Sequence, residues 1–356
     1  MKKNSLTLFI TSWHETPGTG GIYTCYLDST GKPEIKSFTP LTCAGYLAFD
    51  RDREILYSTC RVDQSTDGVA AFTVSKDGTL IPHGSIVASG GKSSCHLSVS
   101  ANRKFLYCSN YFSASFSEFS LDDNGMIAER TRIIRHSGSG PNKERQEQAH
   151  PHCCVFTPDG KFMATADLGN DTVSCYPFDE KYGIDEKNPV VNKMTPGSGP
   201  RHLLFDPERP LCYLLNELGN TVVSCRFENG KLEKIDELLL LPRGANNPTK
   251  ASAVRFSAAK DFLACSNRGF DSVALVKLDD CGNLTPAFLT LTGGSSPRDI
   301  NFLGEDFFAA ANEFSDEIRF FDFDASNGIL SPNGYRIDMP RPLCIIPHLP
   351  LAKKVS

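Results

Sequence analysis

The chain has 356 residues, 40% of them apolar and 22% charged, and a net charge of −5. That balance is ordinary for a globular protein, no stretch approaches the roughly 20 apolar residues needed to cross a membrane, and an acidic chain without a basic tract argues against nucleic acid as a partner. Thirteen cysteines occur without a CxxC pair. Most alternate with Val, Leu and Tyr, as in VSCY at 173–176, so they read as small buried apolar residues of a reducing cytoplasm.

The N-terminus, MKKNSLTLFITSW, has two lysines and a short apolar run but no small-residue cleavage site. It reads as a first strand rather than a signal peptide. LFITSW at 8–13 is also the first of seven related phrases. LYSTC follows at 56–60, LYCSN at 106–110, FMATAD at 162–167, CYLLNE at 212–217, FLACSN at 262–267 and FFAAAN at 307–312. A period of about fifty residues built from strand-like pieces is the mark of an all-β, seven-bladed propeller with four antiparallel strands per blade. Because no blade can bury its faces alone, residues 1–356 are expected to form a single domain in spite of their length.

Ahead of most phrases lies a second recurring strand: AGYLAF at 44–49, SCHLSV at 94–99, PHCCVF at 151–156, PRHLLF at 200–205, ASAVRF at 251–256 and PRDINF at 297–302. Turn residues such as TPDG at 157–160 connect the two strands into a hairpin. A third strand follows, as in TVSCYPF at 172–178, and an Asp-Gly or Asn-Gly turn then leads to a fourth in several blades, at 77–78, 124–125, 229–230 and 327–328. RPLCIIP at 341–347 looks like a first strand with nothing after it, and LTLFITSW at 6–13 like a second strand with nothing before it. Side by side, the two ends complete the seventh blade and leave no free sheet edge.

Residues equidistant from a hairpin turn are neighbours at its open end. This pairs Arg201 with Glu217, His152 with Asp167, Ser252 with Asn267 and Arg268, and Arg298 with Asn312 and Glu313. All these ends converge on one mouth of the central channel, where convergent polar groups mark a small-ligand site. In HPHCC, His150 competes with His152, but strand alternation puts His152 and Cys154 on one face and Cys153 on the other, and no second cysteine pair completes a metal set, so neither metal nor cofactor is expected. His202 is expected to face away from the channel. The segment SGSGPNKERQEQ at 137–148 lengthens one repeat and is either a solvated loop or a rim over the channel.

The strings QAHPHCCVFTPDGKFMATADLG at 148–169, GSGPRHLLFDPERPLCYLLNELGNTV at 197–222, CSNRGFDSV at 265–273 and SPRDINF at 296–302 closely resemble the seven-bladed lactonase family. That family contains the propeller-type 6-phosphogluconolactonases and the fungal carboxymuconate lactonizing enzyme. The resemblance runs from about Leu8 to Ile346. It implies catalytic roles for His152, Arg201, Glu217 and Arg268, to which the hairpin ends and the HPHCC string add Arg298, Asp167, Asn312 and His150 as substrate-binding candidates. The implied activity is hydrolysis of a sugar lactone, phosphorylated at its far end, by a cytoplasmic monomer or weak homo-oligomer. Glu217 and His152 would share acid–base work while arginines hold the oxyanion and the phosphate. The same residues would suit a cycloisomerase that clamps carboxylates, and a propeller can also be a non-catalytic binding platform.

Overall fold

The computed structural model describes residues 6–245 and 248–348. Seven sheets follow one another around an axis. Numbered from the first complete hairpin, their innermost strands are Leu47–Asp50, Ser94–Val99, Pro151–Phe156, Pro200–Phe205, Lys250–Phe256, Pro297–Leu303 and Pro342–His348. Each packs on the next, and the last packs on the first. Blade 4 has the plain order Pro200–Phe205, Leu211–Asn216, Thr221–Glu228 and Lys231–Leu239. Its last turn uses Asn229 and Gly230 at φ 47° and 85°, the left-handed pair that a two-residue hairpin demands. In blades 1 and 3 the outer strand is broken in two.

Blade 7 closes the ring as the sequence implies. Leu6–Ser12 lies between the C-terminal strand, with Ile10 opposite Ile345, and Gly21–Leu27, with Ile10 opposite Tyr23.

Alternation along each strand sends one set of side chains toward the preceding blade and the other toward the following blade. The apolar core is accordingly seven clusters, one between each pair of neighbouring blades. Between blades 3 and 4, for instance, Cys153, Ala164 and Cys175 pack on Leu203, Cys212 and Leu214. All cysteines but Cys95 and Cys281 are buried, and none is in a disulfide.

Candidate active site

The alternation fails at one place in six of the seven inner strands, all but Leu47–Asp50, and that failure builds the site. Pro200 pairs with Asn216 and His202 with Leu215, which leaves Arg201 in a bulge. The same shift isolates Cys95, His152, Arg298 and Leu343. In blade 5 it spans Ser252 and Ala253. A bulge aims its extra residue out of the pleat, so Cys95, His152, Arg201, Arg298 and Leu343 turn into the channel mouth. Two residues before Cys95, Arg201, Arg298 and Leu343 the chain passes through left-handed backbone, at Ser93, Gly199, Ser296 and Arg341. Only Gly199 does so without steric cost.

A second ring comes from the ends of six of the seven second strands: Arg61 and Arg268 close theirs, Trp13, Tyr111, Glu217 and Glu313 directly follow theirs, and all line the mouth. The mouth has two lobes that share Trp13, Cys95, Phe112, Arg298 and Leu343. The larger, about 530 Å³, holds His152, Glu217, Arg268 and Arg145; the smaller, about 470 Å³, reaches down to Arg201 and His202.

Glu217 is the hub. Arg145 Nη2 donates to its Oε1 at 2.7 Å, and Arg201 Nε (3.1 Å) and Arg268 Nη2 (2.8 Å) reach Oε2. Burial alone would raise this carboxyl, but Arg268, Arg201 and Arg145 override it and hold Glu217 well below the usual carboxylate range. One anion beneath three guanidinium groups leaves a local excess of positive charge around Glu217. His152 is 5% exposed. Burial, reinforced by Arg201, pushes its imidazole well below the usual range, so it stands neutral at pH 7. Among the described residues its Nδ1 has no hydrogen-bond partner, and neither have Arg145 Nη1 and Arg268 Nε around the same lobe. Buried donors and acceptors are rarely left empty; three around one cavity are what a polar ligand would fill.

Arg145 comes from the 137–148 segment, which is therefore a rim over the channel. Nothing in the strand pattern could have singled it out, because a loop carries no periodicity. The base of this loop is held by Asp167. Its Oδ1 accepts the His150 N–H at 2.7 Å and its Oδ2 the His136 ring at 2.7 Å, and His136 in turn meets the Tyr176 hydroxyl at 2.9 Å. Asp167 is thus a loop clamp that does not line the mouth, and Asn312, buried beneath Gly294, does not line it either. Both end a second strand, one position short of the ring that includes Glu217. His150 does line the larger lobe, stacked on Tyr111 at 4.2 Å, but both ring nitrogens are engaged, with Tyr111 O and Glu147.

His202 corrects the alternation argument. Because Arg201 is bulged, the next residue also turns inward: His202 meets Tyr46, His96 and His152 edge-on, 5.7–6.0 Å between ring centres, and closes the channel floor. Arg201 Nη1 donates to its Nε2 at 2.9 Å and also to Ser252 O. Beside it, half-buried Arg255 pairs with buried Asp299, 2.7 Å apart. Among the described residues no group of three or more His, Cys, Asp or Glu side chains could hold a metal ion.

A closed seven-bladed ring carrying this arginine-rich, carboxylate-centred mouth defines a class, and the chain belongs to it: the seven-bladed β-propeller lactonase family, whose profile matches residues 7–347. Among its relatives is the 6-phosphogluconolactonase of Bacillus subtilis (strain 168), 30% identical over 92% of this chain and 94% of that protein. A Lactococcus lactis protein of no stated function is 32% identical over 92% and 95%. The crystal structure of a Bacteroides fragilis protein proposed to be a 6-phosphogluconolactonase superposes with a TM-score of 0.89 at 28% identity, covering 98% of this chain and 99% of that one. The Pseudomonas aeruginosa periplasmic gluconolactonase shares the fold, with a TM-score of 0.89 at 24% identity over 97% and 99%.

Proposed function

We propose that the chain hydrolyses 6-phosphogluconolactone to 6-phosphogluconate, with the chemistry in the larger lobe. The observation that carries this reading is the group of Arg145, Arg201 and Arg268 on one ionised carboxylate, beside a neutral, unpartnered His152. Lactone hydrolysis needs a base for water, donors for the oxyanion and a proton for the leaving ring oxygen. His152 takes a proton from water as the oxygen bonds to the lactone carbonyl. Arg268 and Arg145 donate to the oxyanion. The imidazolium so formed is buried next to Arg201 and therefore a strong acid, and it passes its proton to the ring oxygen as the C–O bond breaks. Glu217 is too acidic to donate a proton at neutral pH; it orients the guanidinium groups.

The site is complete within one chain, so a monomer suffices. Cys212 and Cys225 face each other on adjacent strands without a disulfide, which favours a reducing compartment such as the cytoplasm. The test is to offer purified protein freshly made δ-6-phosphogluconolactone and follow the acid product. A rate above the spontaneous background supports the reading. No acceleration, together with reversible cyclisation of a muconate, would assign the site to the lactonizing reaction instead.

A further inference from the structure

The smaller lobe contributes nothing to this chemistry beyond the edge of Arg201, yet at about 470 Å³ it is nearly as large as the lobe that does. We infer that it is a binding subsite for a phosphate monoester, built on Arg298 and Lys92, and that it takes the distal phosphate of the substrate. This rests on the lactonase reading only for what the phosphate is attached to.

Arg298 is the bulged residue of blade 6 and lines both lobes. Its one ion-pair contact among the described residues is with Glu313 at 4.0 Å, and Glu313 is already held by Arg341 at 2.7 Å. The guanidinium donors are therefore uncommitted, unlike those of Arg201 and Arg268 on Glu217. Lys92, across the lobe on blade 2, is exposed and forms no ion pair among the described residues. The carboxylates of this lobe are mostly spent. Asp67 accepts from Arg61 at 2.6 Å and from the Ser94 N–H at 3.0 Å, and Asp299 accepts from Arg255 and the Ile345 N–H. Glu15, on the exposed rim, is the remaining one.

An anion in this lobe thus meets two free cations and one exposed carboxylate, and a phosphate dianion suits that pair of donors better than a single carboxylate does. The shared wall of Trp13, Cys95, Phe112 and Leu343 joins the lobes, so one sugar phosphate can hold its carbonyl beside His152 and its phosphate beside Arg298.

Trp13 is the only tryptophan in the chain and lines both lobes, with the Arg341 guanidinium 4.3 Å over its ring. Its fluorescence can report occupancy without turnover. The experiment titrates inorganic phosphate into the wild type and into Lys92→Gln, Arg298→Gln and Arg268→Gln, each first shown to melt cooperatively. Both lactones, phosphorylated and unphosphorylated, are then assayed. The inference expects phosphate to shift Trp13 emission, and Lys92→Gln and Arg298→Gln to weaken that binding about tenfold or more while Arg268→Gln does so less. It also expects those two variants to raise KM for the phosphorylated lactone about tenfold more than for the unphosphorylated one. Absence of a phosphate response, or loss of it in Arg268→Gln alone, overturns the subsite even if both lactones turn over. The expected phosphate pattern with no turnover of either lactone keeps the subsite and removes the lactonase reading.

Discussion

His152 and Glu217 carry opposite protonation problems in one lobe. Because burial keeps the imidazole neutral well below its ordinary range, the catalytic base is available down to mildly acid pH. kcat/KM should therefore stay flat from pH 8 to below pH 6 and fall only at lower pH. A decline centred at pH 6.5 or above would remove His152 from the role of base. Arg145 supplies a third guanidinium to Glu217 and has an empty Nη1 in the lobe. Arg145→Gln should lower kcat by about tenfold to a hundredfold, the usual cost of one charge-assisted donor to a developing oxyanion. Unchanged kcat with a raised KM would make it a binding residue only.

At the scale of strands and loops, the hairpins, the blade boundaries and the pairing of Arg201 with Glu217 were legible in the sequence because alternation and turn residues repeat seven times. The misplaced strand residues share one physical origin. A bulge inserts a residue without any compositional mark, so counting from the turn places Asp167 and Asn312 in the site, one position short of the ring that holds Glu217, Arg268 and Glu313. It also turns His202 outward, whereas the bulge at Arg201 brings it in. The rim segment was visible as an insertion but not Arg145 within it. That segment crosses Gly169 so closely that a Cβ there would lie 1.9 Å from Gln148 O and 2.7 Å from the His150 nitrogen. Asp167→Asn weakens the His136 contact while keeping the acceptor for the His150 N–H. It should loosen the loop and reduce kcat through Arg145, with little change when Arg145 is already Gln. Additive losses in the double variant would show that Asp167 acts by another route.

Across the whole molecule, the ring makes stability indivisible. Deleting the chain through Ser12 removes the strand between Pro342–His348 and Gly21–Leu27, and with it parts of the clusters on both sides of blade 7. The result should be loss of all cooperative structure, and a melt at unchanged temperature would contradict closure. Acid should act on the channel floor. The folded-state pKa of His96 is pushed down to about 3 by burial, and those of His152 and His202 are also well below 6.5. Below pH 6.5 the unfolded chain binds protons that the folded chain refuses, so stability falls with falling pH by about 1.4 kcal/mol per pH unit for each histidine. Denaturant melts at pH 7 and pH 5.5 read this directly, and equal stabilities would mean that the three rings are not held neutral. Glu217 works in the other window: its lowered pKa contributes stability above about pH 4.5, lost as the carboxylate protonates in stronger acid.

The central claim is that Glu217, organising three arginines at the channel mouth, makes this propeller a lactonase. Glu217→Gln keeps the shape and removes the charge. It leaves three guanidinium groups without their anion and should cost about 3 kcal/mol of stability or more, so the assay belongs well below the melting temperature of the variant. Measured there on δ-6-phosphogluconolactone, against the spontaneous background, its kcat should fall at least about a hundredfold. A folded variant within threefold of the wild type would contradict the account.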